Sequence, residues 1–140
     1  MSATSKGKES QNKKRERARK IESRLRKEYS SPTIALKYSS PLELLISVIL
    51  SAQCTDVRVN MVTPKLFRKY RSARDFAAAI PAELEQEIHS TGFYRNKAKN
   101  IIACCKALLS GFGGKVPSTM DELIQLPGVG RKTANCVLEA

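Results

Sequence analysis

The segment Ser40-Pro41-Leu42-Glu43, running on into Leu44, Leu45, Ile46, Val48, Ile49 and Leu50, constrains the fold of this chain more than any other. Ser40 carries the hydroxyl of an N-cap, and Pro41 suits the first helical position, where its missing N–H would find no partner anyway. Glu43 stands three residues after the cap, the spacing of a capping box. By length alone the apolar run is also compatible with a strand, and the cap decides for a helix. Apolar residues cover every face of that helix, so it needs partners all round and belongs at the centre of the fold.

The rest of the chain supplies short helices to surround it. Ser51-Ala52-Gln53-Cys54-Thr55-Asp56 is a polar break, and Thr55 can cap a second helix containing Val57, Val59, Met61 and Val62. Pro64 is expected to restart the chain into Lys65–Tyr70. Ser72 with Asp75 starts an alanine-rich helix that stops before Pro81. Pro81 opens another through Leu84 and Ile88, closed by Gly92. His89, near that helix end, reads as a partly exposed structural imidazole. Tyr94–Ser110 is expected to be the longest helix, with Ala98, Ile101, Ile102, Cys105, Leu108 and Leu109 inward and Arg95, Lys97, Lys99 and Lys106 outward, ended by Gly111, Gly113 and Gly114. Ser118 with Asp121 caps a short helix over Thr119–Gln125. No segment reads as a strand and no repeat period is visible. The fold class is all-α, a compact bundle of short helices around Leu42–Leu50.

Charge narrows the partner. Twenty-five basic against thirteen acidic residues give a net charge of +12 over 140 residues, which favours a polyanion, nucleic acid first and an anionic membrane surface second. Up to Ser30 there are eleven Lys and Arg against four Glu, more than half the excess. Residues 1–15 have almost no apolar side chain and are expected to be disordered. Residues 16–30 form an N-terminal helix with one apolar stripe, Ile21, Leu25 and Tyr29, that needs a partner surface. Residues 31–140 are the helical domain. No stretch has the length of a membrane span and the N-terminus lacks a signal peptide's apolar run, so a soluble intracellular chain is expected. Lys13-Lys14-Arg15 reads equally as a nuclear signal or as solvated charge. Cys54, Cys104, Cys105 and Cys136 contain no C-x-x-C pair, and apolar neighbours such as Ile101, Ile102 and Val137 point to buried free thiols.

A second feature carries the chemistry. Leu126-Pro127-Gly128-Val129-Gly130-Arg131-Lys132-Thr133-Ala134 reads as a helix end, a tight turn and a new helix, because Pro and two Gly within four positions break both helix and strand. Gly128 and Gly130 allow the backbone to approach a phosphate, and the helix beginning near Arg131 points free N–H groups at that anion. Lys132 stands in the first turn, where the positive end of the helix dipole suits a cation badly. It is either a tolerated exposed lysine or an amine set beside a phosphate and biased toward its neutral, nucleophilic form.

This pattern is that of a helix-hairpin-helix. Together with Ser39-Ser40-Pro41 through Leu50-Ser51-Ala52-Gln53-Cys54-Thr55-Asp56, and with Gly92-Phe93-Tyr94-Arg95-Asn96-Lys97-Ala98, the chain from about Ile21 to Ala140 closely resembles the endonuclease III family of DNA glycosylases. The resemblance implies the six-helix domain of the glycosylase superfamily, with the helix-hairpin-helix at about 119–140. It implies base-excision repair of oxidised pyrimidines in double-stranded damaged DNA, by a DNA N-glycosylase and abasic-site β-lyase, monomeric and not bound to a membrane. It places such a protein in the cytoplasm with the nucleoid, or in a nucleus if the source is eukaryotic.

The resemblance also assigns roles. Lys132 matches the nucleophile that attacks C1′ and forms a Schiff base. Gln53 matches the residue that fills the gap left by a flipped nucleotide, and Phe93 the opposing wedge, where leucine is usual. Pro127, Gly128, Val129, Gly130 and Arg131 match the DNA-gripping hairpin. In the family an aspartate follows the helix that begins at Lys132, and four cysteines spaced C-x6-C-x2-C-x5-C then hold a [4Fe–4S] cluster. The chain stops at Ala140 before either, and no cysteine in it matches a cluster ligand. It therefore reads as a C-terminally interrupted sequence, expected to be marginally stable and nearly inactive as written. Two alternatives are a mismatch adenine glycosylase, whose members generally lack a lysine at the position of Lys132, and a non-enzymatic hairpin module whose lysine only contacts phosphate.

Overall fold

The computed structural model describes residues 35–140, and the tail and the Ile21–Leu25–Tyr29 stripe lie outside them. Among the described residues seven α-helices and one 3-10 turn follow one another: α1 Pro41–Leu50, α2 Asp56–Lys69, α3 Ala73–Ala77, α4 Pro81–Ile88, the 3-10 turn His89–Thr91, α5 Tyr94–Phe112, α6 Met120–Leu123 and α7 Arg131–Leu138. Among the described residues there is no strand.

Helix α1 takes the central place its composition demands. Every residue from Leu44 to Leu50 is buried, and it packs on α7 while also touching α2 and α5. Ser40 Oγ accepts from the Glu43 N–H at 3.2 Å, as a cap should. The Glu43 carboxylate reaches one residue further back than a capping box requires, accepting from the N–H and hydroxyl of Ser39 at 2.9 Å each. Around α1, helices α3 and α4 pack on α5, and α6 on α7. Phe76, Leu84, Ile88, Ile101 and Leu108 fill that second layer, with Phe76 stacked on Tyr70 at 4.9 Å between ring centres. The Tyr70 hydroxyl donates to Glu87 at 2.8 Å.

Several local expectations need correction. Pro64 does not restart the chain; α2 runs through it. The ring removes one helical hydrogen bond, but Val59, Thr63 and Leu66 are buried on both sides of it and hold the two halves to the core. The helix after residue 117 is capped by Thr119, not Ser118: its hydroxyl accepts from the Glu122 N–H at 3.3 Å and bonds the Glu122 carboxylate at 3.0 Å. Gly111 lies inside α5, which ends at Gly113 in the left-handed conformation, φ +62°. Of the cysteines, Cys104 and Cys105 are buried free thiols, but Cys54 is half-buried and Cys136 exposed. Lys97, expected to face outward, is buried at 5% exposure.

Candidate DNA-binding and catalytic site

The hairpin is built as its residues require. Leu126 and Val129 are buried and anchor it, and the Val129 N–H closes the turn on the Leu126 carbonyl at 3.1 Å. Pro127 and Gly128 occupy the two corner positions, with Gly128 at φ +78°, the pattern of a type II turn. A side chain at Gly128 would place its Cβ 2.6 Å from Asn100 Cβ, so the turn lies directly on α5. Gly130 is the N-cap of α7 and gives no side-chain cap. The first intrahelical bond runs from the Ala134 N–H to the Gly130 carbonyl, which leaves the N–H groups of the first turn directed outward for an anion. Val129 contributes only its backbone to any contact there, because its side chain belongs to the core.

The other two elements of the site are backbone anomalies. Among the described residues, Gln53 and Phe93 are the non-glycine residues with positive φ, at +53° and +47°. Left-handed backbone costs an ordinary residue about 1–2 kcal/mol and persists where surrounding structure enforces it, often at functional positions. Gln53 lies in the turn after α1, and Phe93 is the residue from which α5 starts. Both are exposed, Phe93 at 61%, an unfavourable place for a phenyl ring with only structural work.

These pieces meet. A cleft of about 240 Å³ is lined by Gln53 from one side, Phe93 with Asn96 and Asn100 from α5, Gly128 from the hairpin and Thr133 from α7. Lys132 is exposed on the first turn of α7, immediately before Thr133 and outside the cleft lining, while Ala134 turns the opposite side of the helix into the core. A larger cleft of about 550 Å³ between α2 and α4 shares no residue with this one. Both of its carboxylates are paired, Glu83 with Lys69 at 3.2 Å and Glu87 with the same ammonium at 2.6 Å.

Sequence reasoning missed what connects the two anomalous loops. The Lys97 ammonium donates to the carbonyls of Leu50, at 2.8 Å, and Thr91, at 2.9 Å. Leu50 ends α1 just before Gln53, and Thr91 ends the 3-10 turn just before Phe93. Burial pushes the Lys97 pKa down, an effect that the neighbouring Cys54 opposes. The signal was present: Lys97 sits on the same stripe of α5 as Ile101, Cys104, Cys105 and Leu108, all buried.

Among the described residues no group of three or more His, Cys, Asp or Glu could hold a metal ion. Cys104 and Cys105 point into the core and Cys136 stands on the surface, so the cysteines present do not fit an iron–sulfur cluster and no chemical step is assigned to one. No helix among the described residues is long and apolar enough to cross a membrane.

The class defined by these observations is an all-helical domain with a helix-hairpin-helix, beside a cleft flanked by two exposed side chains on left-handed backbone. Residues 46–138 match the family described as HhH-GPD superfamily base excision DNA repair protein, and the chain belongs to that family. Within it the chain is similar to endonuclease III: it is 53% identical to that of Synechocystis sp. over 125 residues, 89% of this chain and 57% of the relative. A non-covalent endonuclease III–DNA complex superposes with a TM-score of 0.77 at 48% identity, covering 89% of this chain and 58% of that one. A trapped endonuclease III–DNA covalent intermediate does so at 0.76 with the same identity and coverage. The chain spans about half the length of the curated relatives it matches.

Proposed function

We propose that the protein is a base-excision-repair DNA glycosylase with abasic-site lyase activity, acting on oxidised pyrimidines in duplex DNA, with Lys132 as the nucleophile. The observation that carries this reading is the convergence of Gln53, Phe93, Gly128 and Thr133 on one cleft, with Lys132 adjoining Thr133. The α7 N–H groups hold a backbone phosphate and thereby fix the register of the duplex, without reading its sequence. Gln53 enters the gap in the stack and Phe93 wedges from the other side, which keeps the damaged nucleotide extruded toward the cleft.

The Lys132 amine then attacks C1′. An N–C1′ bond forms, the bond from C1′ to the base breaks, and the base leaves with its electron pair and gains a proton. Opening of the sugar gives an iminium, which acidifies the C2′ proton. Loss of that proton and of the C3′ oxygen cleaves the strand, leaving a 5′-phosphate on the departing fragment.

The test is a duplex carrying one thymine glycol, incubated with the full-length protein. Release of the damaged base together with a β-eliminated strand is expected, with the undamaged duplex left uncut. Tight binding without base release would instead indicate a hairpin module that only grips DNA.

A further inference from the structure

We propose that Lys97 is a positioning residue, whose buried ammonium sets the spacing between Gln53 and Phe93 and so makes the pair able to distinguish a flippable nucleotide from intact duplex. The inference rests on the reading of those two residues as the gap filler and the wedge.

The geometry is specific. Leu50 and Thr91 are 41 positions apart in the chain, and their carbonyls converge on one nitrogen at 2.8 and 2.9 Å. Both are helix-end carbonyls, electron-rich and without a helical continuation to supply donors. Placed side by side without a cation they repel each other. With Lys97 between them, the two loop bases are held together, and three residues beyond one and two beyond the other stand Gln53 and Phe93 in left-handed backbone. Such conformations relax when the surrounding structure stops enforcing them.

The choice of side chain supports the same view. Lys97 is 5% exposed on a stripe otherwise filled by Ile101, Cys104, Cys105 and Leu108, and a buried ammonium is costly where an apolar residue would pack without penalty. The lowering of its pKa is the sign of that cost. Lys97 also lines the cleft between Gln53 and Gly128, so its hydrogen bonds and the site share one space.

The experiment measures affinity of the full-length protein for a duplex containing a tetrahydrofuran abasic analogue and for the same duplex undamaged. Lys97→Met should lower the ratio of the two affinities, damaged to undamaged, by about tenfold or more. Gln53→Ala combined with Phe93→Ala should lower the ratio as well, and adding Lys97→Met to that pair should cause no further loss, because the lysine acts through those two side chains. If Lys97→Met does not fold, Lys97→Arg serves: it keeps the charge, but its bulkier planar guanidinium does not match the space of a compact ammonium between the two carbonyls, so a smaller but non-additive loss is expected. An additive loss, a loss shared equally by undamaged duplex, or no loss overturns the proposal. If the Gln53 and Phe93 variants keep the wild-type ratio, the wedge reading fails and takes the proposal with it. If they lose it and the Lys97 variants do not, only the proposal fails.

Discussion

Gly128 lies against Asn100 so closely that the hairpin and the longest helix share one surface: an added Cβ would sit 2.6 Å from Asn100 Cβ and 2.9 Å from its Cγ. Gly128 is also at φ +78°, where an L side chain is strained. Two independent penalties therefore meet at one atom. Gly128→Ala is predicted to destabilise the protein by about 3 kcal/mol, combining left-handed strain with overpacking. Urea unfolding of the variant beside the wild type measures it. Gly130→Ala, where a Cβ meets open space and φ is −94°, should cost far less.

Gln53 and Phe93 should show the opposite trade. Replacing either with glycine relieves a left-handed conformation and is predicted to raise stability by about 1 kcal/mol. The same replacement removes a side chain from the cleft beside the hairpin, so on the proposed function affinity for an abasic-analogue duplex should fall as the melting temperature rises. Both quantities can be read on one preparation.

Cys104 and Cys105 are fully buried, and burial pushes their thiols up to about 11 and about 12. Their folded pKa values lie above the unfolded ones, so the folded state holds its protons longer as pH rises. Their contribution to stability is whole below about pH 9 and is lost as pH climbs toward 11 to 12. Tyr70, pushed up to about 12 first by burial and then by its bond to Glu87, acts in the same direction, whereas the lowered pKa of Lys97 acts against it. The midpoint of urea unfolding is predicted to fall between pH 8 and 10.5, and less steeply in Cys104→Ala/Cys105→Ala. In the native protein at pH 8 a thiol reagent should modify the exposed Cys136 first and leave Cys104 and Cys105 until unfolding.

Ser47 is fully buried in α1, and its Oγ finds no hydrogen-bond partner. A buried hydroxyl without a partner costs desolvation energy that nothing returns. Ser47→Ala is predicted to stabilise the protein by about 1 kcal/mol, helped by the better helix propensity of alanine. Thermal unfolding of the variant checks the sign.

Much of this was legible in the sequence because it is local. The Ser40, Thr55 and Ser72 caps follow from side-chain chemistry within four residues, and the central place of α1 from an apolar run with no polar face. The hairpin was equally plain in Pro127, Gly128 and Gly130. The continuity of α2 through Pro64 was not, because tertiary packing of Val59, Thr63 and Leu66 outweighs a local breaker. Lys97 was misplaced for a related reason: charge suggested solvent, while its register on α5 demanded burial, and the carbonyls that reconcile the two come from segments far away in the chain. The positive φ of Gln53 and Phe93 has no sequence signature, since neither is glycine.

The most direct test of the whole account is borohydride trapping of the full-length protein on a duplex with a single abasic site. The account predicts a covalent protein–DNA adduct, formed through the Lys132 amine and absent in Lys132→Ala, which should still bind the duplex. Absence of an adduct with the wild-type protein, or an undiminished adduct with Lys132→Ala, would contradict it.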